Sequence, residues 1–375
     1  MSILQLDFVD HRSDPAAWAQ ELGISTEAVE LYLACDVIDL HVDTFIWTRV
    51  AGYDLRKRHG RGLFNGRYYS QVDLPRMLEA RIGGAMWSIT TNPCRSGPSR
   101  AQAFSENLTA LRAIFASVGE HACIVRDHAE YRAARARGRH AAFVAIQGGN
   151  ALDVDPRAID RLEDTVVRVT LMHLTKSALG ESSQPLRAGA ERGLSSRGKE
   201  YIEALNARRV FVDLAHIGRR GFFDCVDAHD EHQPLIVTHT GVSGVHPSWR
   251  NLDDEQLRAI AATGGVVGVV YHGEYLCGRY FSGGCAADVV RHLEYIVNTV
   301  GPDVPALGSD WDGLIITPRD MRTCLELPRL VQAMLDRKFS PELIRKILGE
   351  NFLRSLERLR PGAARTSADE LASRS

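Results

Sequence analysis

The stretch Asp39-Leu40-His41-Val42-Asp43-Thr44 ends a short apolar run over residues 37–42. In a β-strand, residues two positions apart point to the same face. The pattern therefore predicts that the imidazole of His41 and the carboxylate of Asp43 lie side by side where the strand meets its loop. Strands carry histidine and aspartate for many reasons, so this pair alone is weak evidence for a metal site.

Short apolar runs rich in β-branched residues alternate along the chain with stretches of helical character. Because the runs are apolar throughout, they indicate a parallel sheet that is buried on both faces. Eight such runs with helical crossovers predict an α/β fold, a (β/α)8 TIM barrel. An open doubly wound sheet is the alternative, but its glycine-rich phosphate turn is absent after Asp43. The runs lie at residues 37–42, 83–91, 141–147, 166–173, 210–214, 235–238, 265–271 and 304–307.

Three parts are predicted along the 375 residues. Residues 1–35 form a polar N-terminal helical lead-in, with a helix start at Ser25-Thr26-Glu27. Residues 36–359 form a single barrel domain, and residues 360–375 a disordered tail. Residues 180–197, rich in glycine, serine and arginine, are expected to be a loop. Helices are expected at residues 101–118, 156–164, 196–208, 253–263, 286–300 and 328–337.

Composition restricts the class of protein. A hydrophobic content of 45% and a charged content of 25% are ordinary for a globular protein, and the formal net charge is −2. The charges are spread out, so neither nucleic acid nor a membrane is an expected partner. The N-terminus lacks a signal-peptide pattern, and no window reaches the roughly 18 apolar residues of a membrane span. With seven cysteines and no CxxC pair, these features predict a cytoplasmic protein with reduced thiols.

Polar side chains gather at the carboxyl ends of the predicted strands, where the active site of a barrel lies. Neutral imidazoles and carboxylates are ligands of zinc and similar ions, and a bound ion lowers the pKa of water to about 7. Each histidine alone is more often a hydrogen-bonded interior residue, but the joint pattern favours metal-assisted hydrolysis. The absence of a Gly-x-Ser-x-Gly elbow leaves covalent catalysis without support. The set is His41, Asp43, Gln147, His173, His216, His239 and Asp310.

The remaining histidines mostly fall on predicted helices or loops, so we expect them at the surface. They are His11, His59, His121, His128, His140, His229, His232, His246, His272 and His292.

The order and spacing of the motifs resemble the membrane (renal) dipeptidase family of zinc peptidases, which belongs to the amidohydrolase-like barrels. The resemblance implies a barrel of the metal-dependent hydrolase type. It also implies a metallo-dipeptidase that cleaves the amide bond of a dipeptide or a related small N-acyl amino acid. Each motif is short, and their joint order is what makes the resemblance specific. The motifs include Asp39-Leu40-His41-Val42-Asp43, Thr170-Leu171-Met172-His173, Val212-Asp213-Leu214-Ala215-His216, Thr238-His239-Thr240, Arg250-Asn251-Leu252, Gly308-Ser309-Asp310-Trp311-Asp312-Gly313 and Gly349-Glu350-Asn351-Phe352.

The resemblance also implies a set of metal ligands. One Zn²⁺ would be held by His41, Asp43 and Asp310, and the other by His216 and His239. In the family, a glutamate of a Glu-Gly-Gly motif bridges the two ions, together with a hydroxide that attacks the scissile carbonyl.

Four residues match family positions that act on the substrate. Asp310 would carry a proton to the leaving amine, and His173 would stabilise the tetrahedral oxyanion. Arg250 would pair with the free carboxylate of the substrate, because a planar guanidinium can bind both oxygens. Tyr275 would lie near that carboxylate. The family often forms homodimers, so a homodimer is a candidate assembly.

The sequence departs from the family at one position of the predicted centre. Gln147-Gly148-Gly149 stands where the family has Glu-Gly-Gly. A bridging carboxylate offsets the repulsion between two dications, whereas a neutral amide has no net charge, and its nitrogen donates rather than ligates. We therefore expect one tight Zn²⁺ per chain rather than two. The surviving site is expected to be the first, which Asp310 completes.

Three interpretations of this departure stay open. In the first, the chain is a working hydrolase with one tight ion, or with a second ion bound weakly. In the second, it hydrolyses a different small amide, since Met172-His173-Leu174-Thr175-Lys176 replaces a more polar stretch of the family. In the third, it is a repurposed or catalytically inactive homologue that binds a small carboxylate-bearing ligand or performs another reaction.

Overall fold

The computed structural model describes residues 4–91, 95–153, 158–159, 162, 164–174, 177–183 and 193–362. Within these ranges it contains nine strands, all paired in parallel. They are β1 (Ile38–Val42), β2 (Gly84–Thr90), β3 (Ala122–Ile124), β4 (His140–Gln147), β5 (Val166–Thr170), β6 (Phe211–Asp213), β7 (Ile236–Thr240), β8 (Val266–Val269) and β9 (Pro305–Leu307).

Eight of these strands form a closed barrel. Around the ring they follow the order β2, β1, β9, β8, β7, β6, β5 and β4, and pairing of β2 with β4 closes it. Every residue of the eight strands is buried. One strand face packs into the barrel and the other against the surrounding helices, which is why the runs are apolar throughout. The closed ring confirms the predicted (β/α)8 TIM barrel.

The sequence pattern did not predict β3. It pairs with β4 outside the ring, and its three residues are too few to stand out as an apolar run. The predicted strand at 166–173 was also too long, because β5 ends at Thr170. His173 therefore lies in the loop after β5 rather than in the strand.

The helices surround the barrel, and five of them correspond to predicted segments: 101–118, 196–208, 253–263, 286–300 and 328–337. The predicted helix at 156–164 lies largely outside the described residues, and so does the predicted tail at 360–375, of which residues 360–362 are described. Thr175 and Lys176 also lie outside the described residues. The helices are α1 (Pro15–Leu22), α2 (Thr26–Leu33), α3 (Phe45–Ala51), α4 (Leu74–Glu79), α5 (Gly97–Ser117), α6 (His128–Ala136), α7 (Ser196–Ala207), α8 (Arg219–Ala228), α9 (Asp254–Ala262), α10 (Gly273–Cys277), α11 (Ala286–Val300), α12 (Pro328–Asp336), α13 (Pro341–Arg345) and α14 (Asn351–Leu359).

Helices α1 and α2 lie in the predicted lead-in. The Ser25 hydroxyl accepts a hydrogen bond from the Ala28 backbone N–H at 3.2 Å and so begins α2. Trp18, Val29 and Tyr32 are buried in the same apolar core as the barrel helices. The lead-in is therefore packed onto the barrel rather than separated from it.

Helix α14 covers the amino-terminal end of the barrel. The Phe352 ring packs against Phe143 of β4 and Phe211 of β6, with ring centroids 5.5 and 5.8 Å away. Just after the helix, the Arg360 guanidinium donates to the backbone oxygens of Asp164 and Val166 at the start of β5. This end is closed by apolar packing, which leaves the opposite end for chemistry.

The expectation that the ten remaining histidines lie at the surface is wrong for three of them. His140, His272 and His292 are buried, because their ring nitrogens find backbone or side-chain partners. In His292, Nδ1 accepts from the Val242 backbone N–H, and Nε2 lies 2.9 Å from the Leu276 carbonyl oxygen. A neutral imidazole offers one donor and one acceptor, so it can be buried at little cost when both are paired.

No helix among the described residues has the length and apolar character needed to cross a membrane. The cysteines in this part of the chain are free thiols, in agreement with the predicted absence of a disulfide framework.

Candidate metal centre

A cavity of about 280 Å³ opens at the carboxyl ends of the strands. The structure brings all nine predicted site residues together here. His41 is fully buried beneath the cavity. The other eight line the cavity: Asp43, Gln147, His173, His216, His239, Arg250, Tyr275 and Asp310.

The ends of β1 and β9 place the first group of predicted ligands. The Asp310 backbone N–H donates to the His41 carbonyl oxygen at 3.1 Å, which joins the two strand ends. His41 Nε2 lies 3.5 Å from Asp43 Oδ2 and 3.6 Å from Asp310 Oδ1. Ligand atoms of His41, His239 and Asp310 all lie within 4.8 Å of one another. Residues assigned to different ions by the resemblance therefore form one cluster.

His216 and His239 form the second group. Their Nε2 atoms lie 2.8 Å apart, and the His173 ring packs edge-on against His216 with centroids 4.8 Å apart. His216 and Asp310 have φ angles of +65° and +62°, a left-handed conformation that L-residues adopt at a cost. Such strain is concentrated at functional sites, where the surrounding structure enforces it.

Two buried carboxylates hold these strand ends in place, and the sequence analysis did not select them. Asp213 accepts hydrogen bonds from the Thr238 backbone N–H at 2.9 Å and from the Thr238 hydroxyl at 2.7 Å. Asp39 accepts from the backbone N–H groups of His41 and Ser309, at 3.0 and 3.1 Å. Both belong to strand-end motifs, but burial against backbone donors marks them as supports for the predicted ligands beside them.

Gln147 is the last residue of β4, and its side chain lies between β1 and β2. The hydrogen-bond partners orient its amide nitrogen towards Asp43, 3.0 and 2.9 Å from the two carboxylate oxygens, and 2.9 Å from Thr90 Oγ1. The amide oxygen then lies 3.2 Å from His41 Nε2. Gln147 thus occupies the space between the predicted ligands of the first ion.

Arg168 is a buried cation beneath the cavity that the sequence analysis did not select. Its guanidinium Nη2 donates to His41 Nδ1 at 2.9 Å and to Ser88 Oγ at 2.8 Å. Its Nη1 lies 3.3 Å from Asp213 Oδ2 and also donates to the Thr170 hydroxyl. The available signal was an arginine inside the otherwise apolar strand Val166–Thr170, where a charge needs a partner.

Desolvation sets the charge state of the imidazoles. Burial lowers the pKa of His173 to about 4 and holds the pKa values of His41, His216 and His239 below their ordinary value. These rings are therefore neutral near pH 7, the form that can ligate a metal. Burial, with the nearby Asp43 charge, raises the pKa of Asp310 well above its usual range.

Arg250 and Tyr275 form the opposite wall of the cavity. Arg250 follows β7, and its Nη2 donates to the His239 carbonyl oxygen at 2.7 Å, so its guanidinium is held next to the imidazole pair. Tyr275 lies in α10 and packs edge-on against Trp249, with ring centroids 5.7 Å apart. A fixed cation beside a partly aromatic wall can bind the carboxylate of a small ligand.

Comparison with known proteins agrees with this architecture. A family model described as membrane dipeptidase (Peptidase family M19) matches residues 25–370. Dipeptidase aclJ of Aspergillus oryzae is 26% identical over 347 residues, which cover 89% of this chain and 80% of that protein. A Klebsiella pneumoniae protein described as an uncharacterized protein in the pqqA 5' region is 36% identical over 167 residues. That match covers 44% of this chain and 60% of the relative, less than two thirds of its length.

The fold also resembles a solved structure, a metallo peptidase from Rhodobacter sphaeroides liganded with a phosphinate mimic of the dipeptide L-Ala-D-Ala. The TM-score is 0.75 at 24% identity, over 87% of this chain and 99% of that chain. Because the family model covers most of the sequence, the predicted family and the predicted enzyme class, a metallo-dipeptidase, are both confirmed. This chain belongs to the membrane dipeptidase family, Peptidase family M19.

Proposed function

We propose that this chain is a zinc-dependent dipeptidase that hydrolyses the amide bond of a dipeptide or a related small N-acyl amino acid. The observation that carries the proposal is that metal-ligating atoms and a guanidinium converge in one small cavity. His239 belongs to the cluster with Asp310, and its carbonyl oxygen holds Arg250. A cavity of about 280 Å³ suits a ligand of two residues rather than a longer peptide.

The residues present fit one divalent ion. His216 and His239 offer two neutral imidazole nitrogens, and Asp310 is the carboxylate whose ligand atom lies within 4.8 Å of ligand atoms of His239 and His41. Nitrogen and carboxylate donors suit Zn²⁺, and we assign one ion to these three residues. A Zn²⁺ held by these residues would polarise water and the scissile carbonyl, which would allow hydrolysis near neutral pH.

The protein's own groups orient the substrate and move the proton. Arg250 binds the C-terminal carboxylate, with Tyr275 beside it. His173, next to His216, donates a hydrogen bond to the carbonyl oxygen as negative charge develops there. The Asp310 carboxylate takes the proton from the attacking water and passes it to the leaving amine.

The direct test is a hydrolysis assay on the purified protein. The protein is stripped with a chelator, reloaded with Zn²⁺, and incubated with L-Ala-L-Ala, L-Ala-D-Ala, N-acetyl-alanine and the C-terminal amide of each dipeptide. We expect release of alanine from substrates with a free carboxylate, loss of activity on stripping, and recovery with Zn²⁺. A metal-loaded protein that cleaves none of them contradicts the proposal.

A second candidate is a repurposed homologue that binds a small carboxylate-bearing ligand without cleaving it. The amide at Gln147, in the place of the family's bridging carboxylate, favours this candidate. It predicts Arg250-dependent binding of an N-acyl amino acid by calorimetry, with no turnover of the same compound. The cytoplasmic location and the homodimer remain predictions.

A further inference from the structure

Arg168 determines which of the two ring nitrogens of His41 carries the proton. Arg168 Nη2 lies 2.9 Å from His41 Nδ1, and both residues are buried. The Ser88 hydroxyl, which accepts from the same Nη2, lies 3.2 Å from Nδ1 and can donate to it. A guanidinium has donors and no acceptor, so Nδ1 must accept the hydrogen bond from Arg168 and cannot carry a proton itself. The proton of the neutral ring therefore lies on Nε2, the nitrogen that faces the cavity.

The surroundings of Nε2 agree with that tautomer. His41 Nε2 faces acceptors: Gln147 Oε1 at 3.2 Å, Asp43 Oδ2 at 3.5 Å and Asp310 Oδ1 at 3.6 Å. A metal-ligating histidine usually presents its lone pair to the ion and donates its other N–H to a carboxylate, a carbonyl or a water. Arg168 reverses this arrangement, because a protonated Nε2 has no lone pair to offer.

Gln147 hydrogen-bonds to Asp43, the predicted carboxylate ligand in the same half of the centre. Its amide nitrogen lies 3.0 and 2.9 Å from the two oxygens of Asp43, so both oxygens accept hydrogen bonds. The hydrogen bonds run in one direction, from Arg168 to His41, from His41 to Gln147, and from Gln147 to Asp43. Each of these three donor groups meets an acceptor.

We propose that Arg168 and Gln147 together close the His41–Asp43 half of the centre to metal. The Arg168 guanidinium carries a permanent positive charge and also faces Asp213. It replaces the first ion as the positive charge that balances the carboxylates inside the barrel. The other half, to which the proposed function assigns His216, His239 and Asp310, stays open. This assignment is the opposite of the sequence-based expectation that the ion is held by His41, Asp43 and Asp310. It rests on the proposed function only for the identity of the ion.

The alternative is that Arg168 is a purely structural partner of Asp213. The two cases differ in a double-mutant cycle with Gln147→Glu, Arg168→Met and both together. Closure by two residues predicts that each single variant still holds about one tight Co²⁺ or Zn²⁺ per chain, because the other residue still blocks the half. Only the double variant should hold two. Metal analysis after gel filtration and the Co²⁺ absorption spectrum give the number of ions.

Two tight ions in the wild type, two in Gln147→Glu alone, or one in a folded double variant would each overturn the inference. Circular dichroism and thermal melting identify variants that do not fold. A measurement on the wild type needs no substitution: ¹⁵N-histidine NMR of the metal-free protein should show His41 as the Nε2–H tautomer, assigned with His41→Gln. The Nδ1–H tautomer contradicts the proposal.

The outcomes also separate this inference from the proposed function. A wild type with one ion and no dipeptide hydrolysis refutes the function and leaves the inference standing. A wild type with two ions and full hydrolysis refutes the inference and leaves the proposed function standing.

Discussion

The Nε2 atoms of His216 and His239 lie 2.8 Å apart, in a cavity where burial keeps both rings neutral. Two imidazole nitrogens this close either share a proton or ligate the same ion. Asp310 has a ligand atom within 4.8 Å of one on His239, so under the proposed assignment the second arrangement would have Asp310 as its third protein ligand.

Replacing one member of this pair should remove the metal. In His239→Gln, we expect Zn²⁺ content to fall to near zero, dipeptide hydrolysis to be lost, and addition of Zn²⁺ to raise the melting temperature no further. Metal analysis and thermal melting with and without chelator measure this. His232→Gln, at an exposed histidine, is the control and should keep its metal. Full Zn²⁺ content in His239→Gln would remove His239 from the site.

Arg250 should affect substrate binding through the C-terminal carboxylate. A charge-assisted hydrogen bond contributes roughly 1.5 to 3 kcal/mol, so Arg250→Lys should raise KM about 10- to 100-fold for a free dipeptide. The wild type should bind the corresponding dipeptide amide as weakly as the variant does. Steady-state kinetics on both substrates checks this. An unchanged KM for the free dipeptide would show that Arg250 does not contact the carboxylate.

His173 should affect the chemical step rather than binding. His173→Leu removes the donor that we propose for the reacting carbonyl, and we expect kcat to fall by about 10²- to 10³-fold with little change in KM. Zn²⁺ content should stay at the wild-type level, because His173 is not among the residues assigned to the ion. A variant that keeps kcat, or that loses its metal, contradicts the assigned role.

Gly313 leaves the space beside it free for the Asp310 carboxylate. A Cβ at residue 313 would lie 2.4 Å from Asp310 Oδ1, so Gly313→Ala must displace that carboxylate. Because a displacement near 1 Å can cost about 100-fold in rate, we expect at least a tenfold loss of kcat/KM and weaker Zn²⁺ binding. Gly60→Ala is the matched control, since its Cβ would meet nothing within 4 Å. Equal activity of the two variants would show that Gly313 does not set the position of Asp310.

Stability of the metal-free protein should fall as the pH decreases from about 6.5 to about 4. Burial lowers the pKa of His140, His272 and His292 to about 4. Between that value and 6.5, the unfolded chain binds more protons than the folded protein, so lower pH favours unfolding. At pH 5 each histidine should cost on the order of 2 kcal/mol of unfolding free energy.

Urea denaturation at pH 7.5 and pH 5 measures this loss. His140→Gln should reduce the difference between the two pH values, whereas exposed His232→Gln should leave it as in the wild type. The same pH dependence in wild type and His140→Gln would mean that His140 does not contribute.

The amino-acid sequence alone determined the barrel and the end at which its polar residues meet. Parallel strands buried on both faces must be apolar throughout, so they are visible as local runs, and their carboxyl ends lie at one edge of the barrel. For that reason His41, Gln147, His239 and Asp310 could be selected before any contact was known. Short β3 was missed because three residues carry too little periodicity.

Only the tertiary structure decided how the polar side chains are paired. Arg168 and His41 are 127 residues apart, and their contact exists because closure of the barrel turns both side chains into its interior. The burial of His140 and His292 likewise depends on backbone partners from other segments. Hydrogen-bond direction between distant strands depends on register and closure, which no local pattern encodes. Under the proposed assignment, that direction decides which half of this centre could hold a metal ion.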